Sequence, residues 1–297
     1  MRPLKVLSIG NSTDVDALHM LNLVAAAEGY DQELVVGVLY YSGCKIAQHV
    51  SFLQNDQNSY ALYISSTLTP DQPATRYPGY TMYDALKYED WDIIFIHEDE
   101  CAAHKDSVYQ NNNIQILVDY VNQHKLNPEA VLGYHIPWVC PSDPELLATY
   151  PKTPNAYVNY LAQFNNDRIQ FYMAGVNNVS KYVLTDNRYV YLVPSGTAMH
   201  NAGTSYMPDT ALHRDYYHAS DLGRVLVAYT WYATLTGLDH LDAVQLDAIP
   251  MAFLRSTTDK TQDRVLTEAE KQIIVESVNN ALKNPLEVTQ SQFTTEP

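Results

Sequence analysis

Cysteine is scarce in this chain. Its 297 residues hold three, Cys44, Cys101 and Cys140. The number is odd and no Cys-x-x-Cys spacing occurs, so neither a disulfide framework nor a cysteine zinc cluster is expected. Basic residues are also few: 18 Lys plus Arg stand against 34 Asp plus Glu, a formal charge of −16. Such a surface repels phosphate backbones and anionic lipid. Nucleic acid and membrane are therefore excluded as expected partners, and a neutral small-molecule substrate suits the chain better. No apolar run approaches the ~18 residues of a membrane span. Met1-Arg2-Pro3 leads directly into a short apolar segment interrupted by Lys5 and Ser8. No signal peptide is legible there, and the cytoplasm is the expected compartment, although a chain trimmed of its leader would read the same way. Internal repeats and long linkers are missing as well.

What is present in quantity is tyrosine, 24 residues, alongside Trp91, Trp138 and Trp231. Most such rings belong to the core and the ordinary surface; aromatic bodies with polar tips also suit a sugar site. Hydrophobic residues make up 46% of the chain, the composition of a globular protein rather than a disordered one.

Strand and helix patterns alternate. Strands are expected at Leu4 to Ile9, Glu33 to Tyr41, Trp91 to Ile96, Ala130 to Ile136 and Tyr189 to Val193. Helical spacing runs from Asp14 toward a stop at Gly29, and a short helix follows Gly43 toward Phe52. Further helical patterns cover Ile114 to His124, Ala156 to Leu184 with a break near Gly175, and Asp221 to Leu235 before Gly237. Thr267 and Glu270 form a capping-box pattern that opens a last helix to about Leu282. Asn55 to Pro78 reads as a short hairpin or long loop, and Pro137 to Pro154 as a loop. Five strands separated by helices predict a three-layer α/β/α domain built on a parallel sheet of about five strands. A single domain is expected over 1–287, with 288–297 as a frayed tail.

Two stretches carry the chemistry. Gly10-Asn11-Ser12 follows the first strand and precedes a helical pattern, so a serine hydroxyl stands at the carboxyl end of a strand, where open parallel sheets present reactive groups. Ser12 could be a helix N-cap, the common role of serine at such a place. It could equally be a nucleophile, with its own N–H at a helix start suited to an oxyanion. Asp215-Tyr216-Tyr217-His218 places a carboxylate three residues before an imidazole, again just ahead of a helix. Serine attack on an ester needs a base to take the hydroxyl proton and a carboxylate to hold that base in the right tautomer. His213 lies close enough in sequence to compete for the role of base.

These segments resemble the sequence blocks of the SGNH (GDSL-like) hydrolase superfamily, esterases and lipases on a flavodoxin-like sheet. The resemblance is closer to a bacterial SGNH-type family of unknown function, common in gut bacteria. It is carried by Leu7 to Ser12, Tyr41-Ser42-Gly43-Cys44 with Gln48-His49, and Trp91 to Ile94. Pro194 to Ala198, Asn201, Arg214 to Ser220, Leu222-Gly223-Arg224, Thr230-Trp231 and Leu235-Thr236-Gly237 complete it. It implies an SGNH hydrolase fold, Ser12 as nucleophile, His218 as base, Asp215 as its orienting partner, and the Gly43 N–H as an oxyanion donor beside that of Ser12. It implies no cofactor and no metal.

The chain departs from that pattern after the third strand. The superfamily usually places an Asn there as a third oxyanion donor, and the closer family shows Gln-Gln; this chain has His97-Glu98-Asp99-Glu100. An ionised carboxylate cannot donate and would repel an oxyanion. Either His97 substitutes as donor, with Glu98 the other candidate, or the hole is incomplete. His97 to His104 also admits a metal reading, although the spacing is not His-Glu-x-x-His. Asn11, His135, Trp138 and Asn201 are expected to line the substrate pocket. The sequence thus predicts a serine esterase acting on small acyl esters, O-acetyl groups on carbohydrate by analogy of fold. The alternatives are an idle carbohydrate-binding relative and a metal-dependent hydrolase using the His97 to His104 cluster.

Overall fold

In the computed structural model, residues 2–55, 57–140, 155–207, 209–246 and 266–296 are described. Seven strands form one sheet: β1 (Leu4–Gly10), β2 (Leu34–Tyr40), β3 (Tyr60–Ser66), β4 (Thr75–Tyr80), β5 (Ile93–Ile96), β6 (Val131–His135) and β7 (Tyr189–Val193). Their order is β4-β3-β2-β1-β5-β6-β7. The pairs β2–β1, β1–β5, β5–β6 and β6–β7 are parallel, and β3 and β4 join antiparallel. Counted among themselves, the parallel strands run 2-1-3-4-5, the flavodoxin-like order, with its switch point between β1 and β5.

The inner parallel strands are buried on both faces, which explains their apolar character: Ile93-Ile94-Phe95-Ile96 is buried throughout, whereas β7, at the sheet edge, leaves Val190 exposed. The count of seven corrects the expectation of five. The two additional strands come from the segment read as hairpin or loop. β4 hid its nature because it is a solvent-facing edge strand with Pro78 and Gly79 in it, and a sheet edge tolerates a residue that cannot donate.

Helices α1 (Ser12–Leu18), α2 (Leu21–Ala27), α3 (Ile46–Gln54), α4 (Met82–Tyr88), α5 (Asn113–His124), α6 (Arg168–Asn178), α7 (Ser195–Ala202), α8 (Asp221–Thr236) and α9 (Glu268–Lys283) flank the sheet. One layer gathers α1, α2, α7 and α9 around α8, whose Val225 to Ala233 stretch is buried on every side. The Ser220 hydroxyl caps its start by accepting the Gly223 N–H, and Gly237, at φ +70°, ends it. The other layer holds α3, α4 and α5. The capping box of α9 forms between Thr267 and Glu270 as the sequence indicates.

Three local expectations change. The first helical run is two helices, α1 and α2, separated at His19 and Met20. Gly175 lies inside α6, against Ala103, and causes no break. The break falls instead at Asn165 and Asn166, both in the left-handed region, before Asp167 caps α6. Residues 288–296 are docked rather than frayed. The Thr289 N–H donates to Asn201 Oδ1 at 2.7 Å, Ser291 N–H to Thr204 Oγ1 at 2.8 Å, and Tyr206 N–H to the Phe293 carbonyl at 2.8 Å. Within the loop expected at Pro137 to Pro154, residues 141–154 lie outside the described residues. Among the described residues no helix is long and apolar enough to cross a membrane.

Candidate active site

The first block separates two roles that the sequence left joined. Asn11, not Ser12, is the N-cap of α1: its Oδ1 accepts the Thr13 N–H at 2.9 Å and the Thr13 hydroxyl at 2.8 Å. Ser12, the first helical residue, is left half-buried with its hydroxyl not used as a cap. Its N–H belongs to the first turn, where donors lack intrahelical acceptors. After β2 the chain turns through Gly43, at φ +58°, a conformation glycine adopts without cost. This turn is tied back by Cys44 N–H to the Tyr41 carbonyl at 3.2 Å, and Tyr41 N–H in turn donates to the Gly10 carbonyl at 3.2 Å. Gly43 is thereby brought beside the end of β1.

The Asp215–His218 loop is closed on itself. His213 and Ala219 form an isolated antiparallel bridge, and Arg214 N–H donates to the His218 carbonyl at 3.0 Å. Asp215 Oδ2 lies 2.6 Å from His218 Nδ1, while Oδ1 accepts the backbone N–H groups of Tyr217 (3.0 Å) and His218 (2.7 Å). Burial opposes the charge on Asp215, but the His218 ring and the two N–H groups outweigh it and hold the carboxyl down at about 2. His218, not its neighbour His213, is therefore the imidazole partnered by Asp215. Tyr217 stands between the two blocks: its ring lies against His218, centroids 3.7 Å apart, and its hydroxyl neighbours the Ser12 side chain.

Asp16, buried on α1 one turn after Ser12, clamps this loop. Its oxygens accept from Arg214 Nη1 at 2.9 and 2.8 Å, from Arg224 Nε and Nη2 at 3.0 and 2.8 Å, and from the Ala219 N–H at 3.1 Å. The helix bearing the serine and the loop bearing the histidine are thus one unit. Arg214 is thereby committed to Asp16.

The third block differs from expectation. His97 is fully buried, with Nε2 2.9 Å from Asp14 Oδ2, and His135 Nδ1 lies 2.8 Å from Asp14 Oδ1. Gly10 leaves room for this group: a Cβ there would sit 1.6 Å from Asp14 Oδ2 and 2.3 Å from His97 Nε2. Burial works against the Asp14 charge, yet the two imidazoles hold its carboxyl far below the usual range. Asp14 in turn raises His97 against the pull of burial, while burial keeps His135 low. The arrangement is an ion pair of His97 with Asp14, with a neutral His135 as second partner. The Nε2 of His97 is accordingly spent on Asp14, while its Nδ1 is buried with no hydrogen-bond partner among the described residues.

Glu98 is also fully buried, its Oε1 accepting the Ile46 N–H at 3.2 Å and the Asp99 N–H at 2.8 Å. Asp99 Oδ1 accepts the Cys101 N–H at 3.1 Å, and Asn11 Nδ2 lies 3.4 Å from Asp99 Oδ2.

The four residues expected in the pocket are buried and committed elsewhere. Asn11 caps α1 and reaches the Cys44 carbonyl. His135 serves Asp14. Trp138 donates from Nε1 to the Tyr217 carbonyl at 2.6 Å and so supports the histidine loop from below. Asn201 holds the C-terminal segment and donates to the Ser277 carbonyl at 3.2 Å. The His97 to His104 metal reading is narrowed: His104 packs among Tyr160, Phe164 and Phe171, away from the partners of His97, while Asp99, Glu100 and Cys101 of the same stretch keep donors close together. Among the described residues two groups have donors close enough for a metal, Asp14 with His97 and His135, and Asp99 with Glu100 and Cys101. In the first, both carboxylate oxygens already meet imidazole nitrogens.

Sequence reasoning missed Asp14, Asp16, Tyr217 and Arg224. A signal for Asp16 existed: two arginines flank the Asp-x-x-His stretch in a chain poor in cations, and each needs a carboxylate.

Comparison with known proteins bears on the family and the fold. Residues 5–244 match the family described as a domain of unknown function, DUF4886. The crystal structure of a DUF4886 family protein from Bacteroides uniformis superposes with a TM-score of 0.77 at 24% identity, covering 99% of this chain and 100% of that one. A protein from Slackia heliotrinireducens described as an SGNH hydrolase gives 0.48 at 16% identity, covering 79% of this chain and all of the other. A lipase from a goat rumen metagenome gives 0.41 at 10% identity, covering 78% and 97%. No curated protein matches the chain.

Proposed function

The chain belongs to the DUF4886 family, and we propose that it is a serine hydrolase of the SGNH type that cleaves small acyl esters. One observation carries the reading: Asp215 engages His218 Nδ1 at 2.6 Å, and Tyr217 packs on that ring beside the Ser12 side chain. With Nδ1–H donated to Asp215, the Nε2 lone pair of His218 is the base. It takes the proton of Ser12 Oγ as the oxygen attacks the ester carbonyl. The N–H groups of Ser12 and Gly43 receive the oxyanion, and His218 returns the proton to the leaving alkoxide. Water, activated by the same imidazole, then attacks the acyl-serine and frees the acid. Each step needs only the residues named, with no cofactor.

The substrate favoured is an O-acetyl group on a carbohydrate. The net charge of −16 disfavours polyanions, and tyrosine is abundant, with Tyr216 and Tyr217 on the histidine loop itself. The test is hydrolysis of an aryl acetate and of an acetylated oligosaccharide by wild type, Ser12→Ala and His218→Ala. Both variants should lose at least about 10³-fold in kcat. Wild-type turnover by Ser12→Ala would overturn the assignment.

A further inference from the structure

We propose that Glu98 is the positioning residue of the Gly43 turn, and that a negative charge on it weakens oxyanion binding there. The inference rests on the roles given to Ser12 and Gly43 above.

The geometry is specific. Ile46 opens α3 three residues after Gly43, and the N-cap of that helix, Lys45, supplies no side-chain cap. Glu98, from the end of β5, fills that role by accepting the Ile46 N–H at 3.2 Å while the same oxygen accepts the Asp99 N–H at 2.8 Å. Its own N–H donates to the Tyr134 hydroxyl at 3.1 Å, which fixes the backbone behind it. A second tie to the turn comes from Asn11 Nδ2, 3.4 Å from the Cys44 carbonyl. Glu98 therefore joins the third block to the turn that presents Gly43. It acts through the loop and does not touch substrate.

The other oxygen, Oε2, is buried and has no hydrogen-bond partner among the described residues. The charged and titratable groups around Glu98 offer little to a second negative charge. Asp99 carries a carboxyl of its own, and Cys44, Tyr109 and Tyr134 are all raised toward their neutral forms, chiefly by burial. Lys45 and His97 favour ionisation, but His97 is already paired with Asp14. Burial outweighs them and the two backbone N–H groups, and pushes the Glu98 carboxyl up to about 7. With the proton on Oε2, Oε1 still accepts both N–H groups and the turn is held without a charge. Once the proton leaves, a carboxylate lies buried behind a turn whose N–H must bind another anion, and the two repel.

Glu98→Gln separates the terms, because the amide oxygen can replace Oε1 while nothing titrates. The ratio of wild-type to Glu98→Gln kcat, in which protonation of the catalytic imidazole is common to both and cancels, should fall about tenfold between about pH 6 and pH 9 through a step near 7, with KM little changed. Glu98→Gln should match wild type within about twofold at the acid end. Glu98→Ala, without the acceptor, should be slow at every pH. A readout independent of turnover is the infrared band of a protonated carboxyl, present near pH 6, lost near pH 9, and missing from Glu98→Gln. A ratio that stays level across this range overturns the inference, as does wild-type protein with no titrating carboxyl band. Activity retained by Ser12→Ala signals the separate failure of the nucleophile assignment, which the infrared titration does not depend on.

Discussion

Replacing Asp16 by asparagine should loosen the base from the nucleophile without touching either. The carboxylate is 1% exposed and receives two guanidinium groups and the Ala219 N–H, the residue directly after His218. The amide keeps one acceptor, loses the charge, and turns an NH₂ toward a guanidinium. Breaking a buried ion pair from one side typically costs ~3–5 kcal/mol. The Arg214 and Arg224 side chains are 18% and 12% exposed and can recover some hydration, so the lower end, about 3 kcal/mol, is expected. Because the clamp fixes the Ala219 backbone, His218 should shift as well, and a misplacement of ~1 Å can cost ~10² in rate. Urea unfolding gives the first quantity and kcat on an aryl acetate the second. A stability change below about 1 kcal/mol together with unchanged kcat would refute the clamp.

Gly10→Ala should be strongly destabilising, since its Cβ would lie 1.6 Å from Asp14 Oδ2 and must push the buried Asp14–His97 pair apart. A loss of ~3 kcal/mol corresponds to a fall in Tm of roughly 6–12 °C for a domain of this size, measurable by calorimetry. Asp215→Asn should preserve the fold and lower kcat by up to ~10⁴ through the wrong imidazole tautomer. The folded Asp215 carboxyl is held at about 2, below its unfolded value of about 3.9, so its stabilisation is whole above that value and fades as pH falls through 2. Acid unfolding of Asp215→Asn should lack that step.

The parallel core was legible because each of its strands is a short apolar run between turn signals, and Tyr189–Val193 was located to the residue. β4 was not, because an edge strand bearing Pro78 carries no alternating pattern to read. The pairing of Asp215 with His218 is local, three residues apart, and the spacing displays it. The third block was legible only in part because its chemistry is not local. His97 faces Asp14 from another element, and only the absence of a Cβ at Gly10 leaves room for that pair. His135 ends a strand and Trp138 and Asn201 follow strands, as pocket residues would, but strand ends also supply the polar groups that fasten neighbouring elements. Position along the chain does not distinguish these uses.

The central claim is that Ser12 is a nucleophile activated by His218. Its most direct test is covalent labelling with a fluorophosphonate, followed by peptide mass mapping. Wild type should carry one phosphonyl group on Ser12, His218→Ala should label far more slowly, and Ser12→Ala should not label at that peptide. A fluorophosphonate that leaves Ser12 unmodified while the folded protein hydrolyses esters would contradict the account.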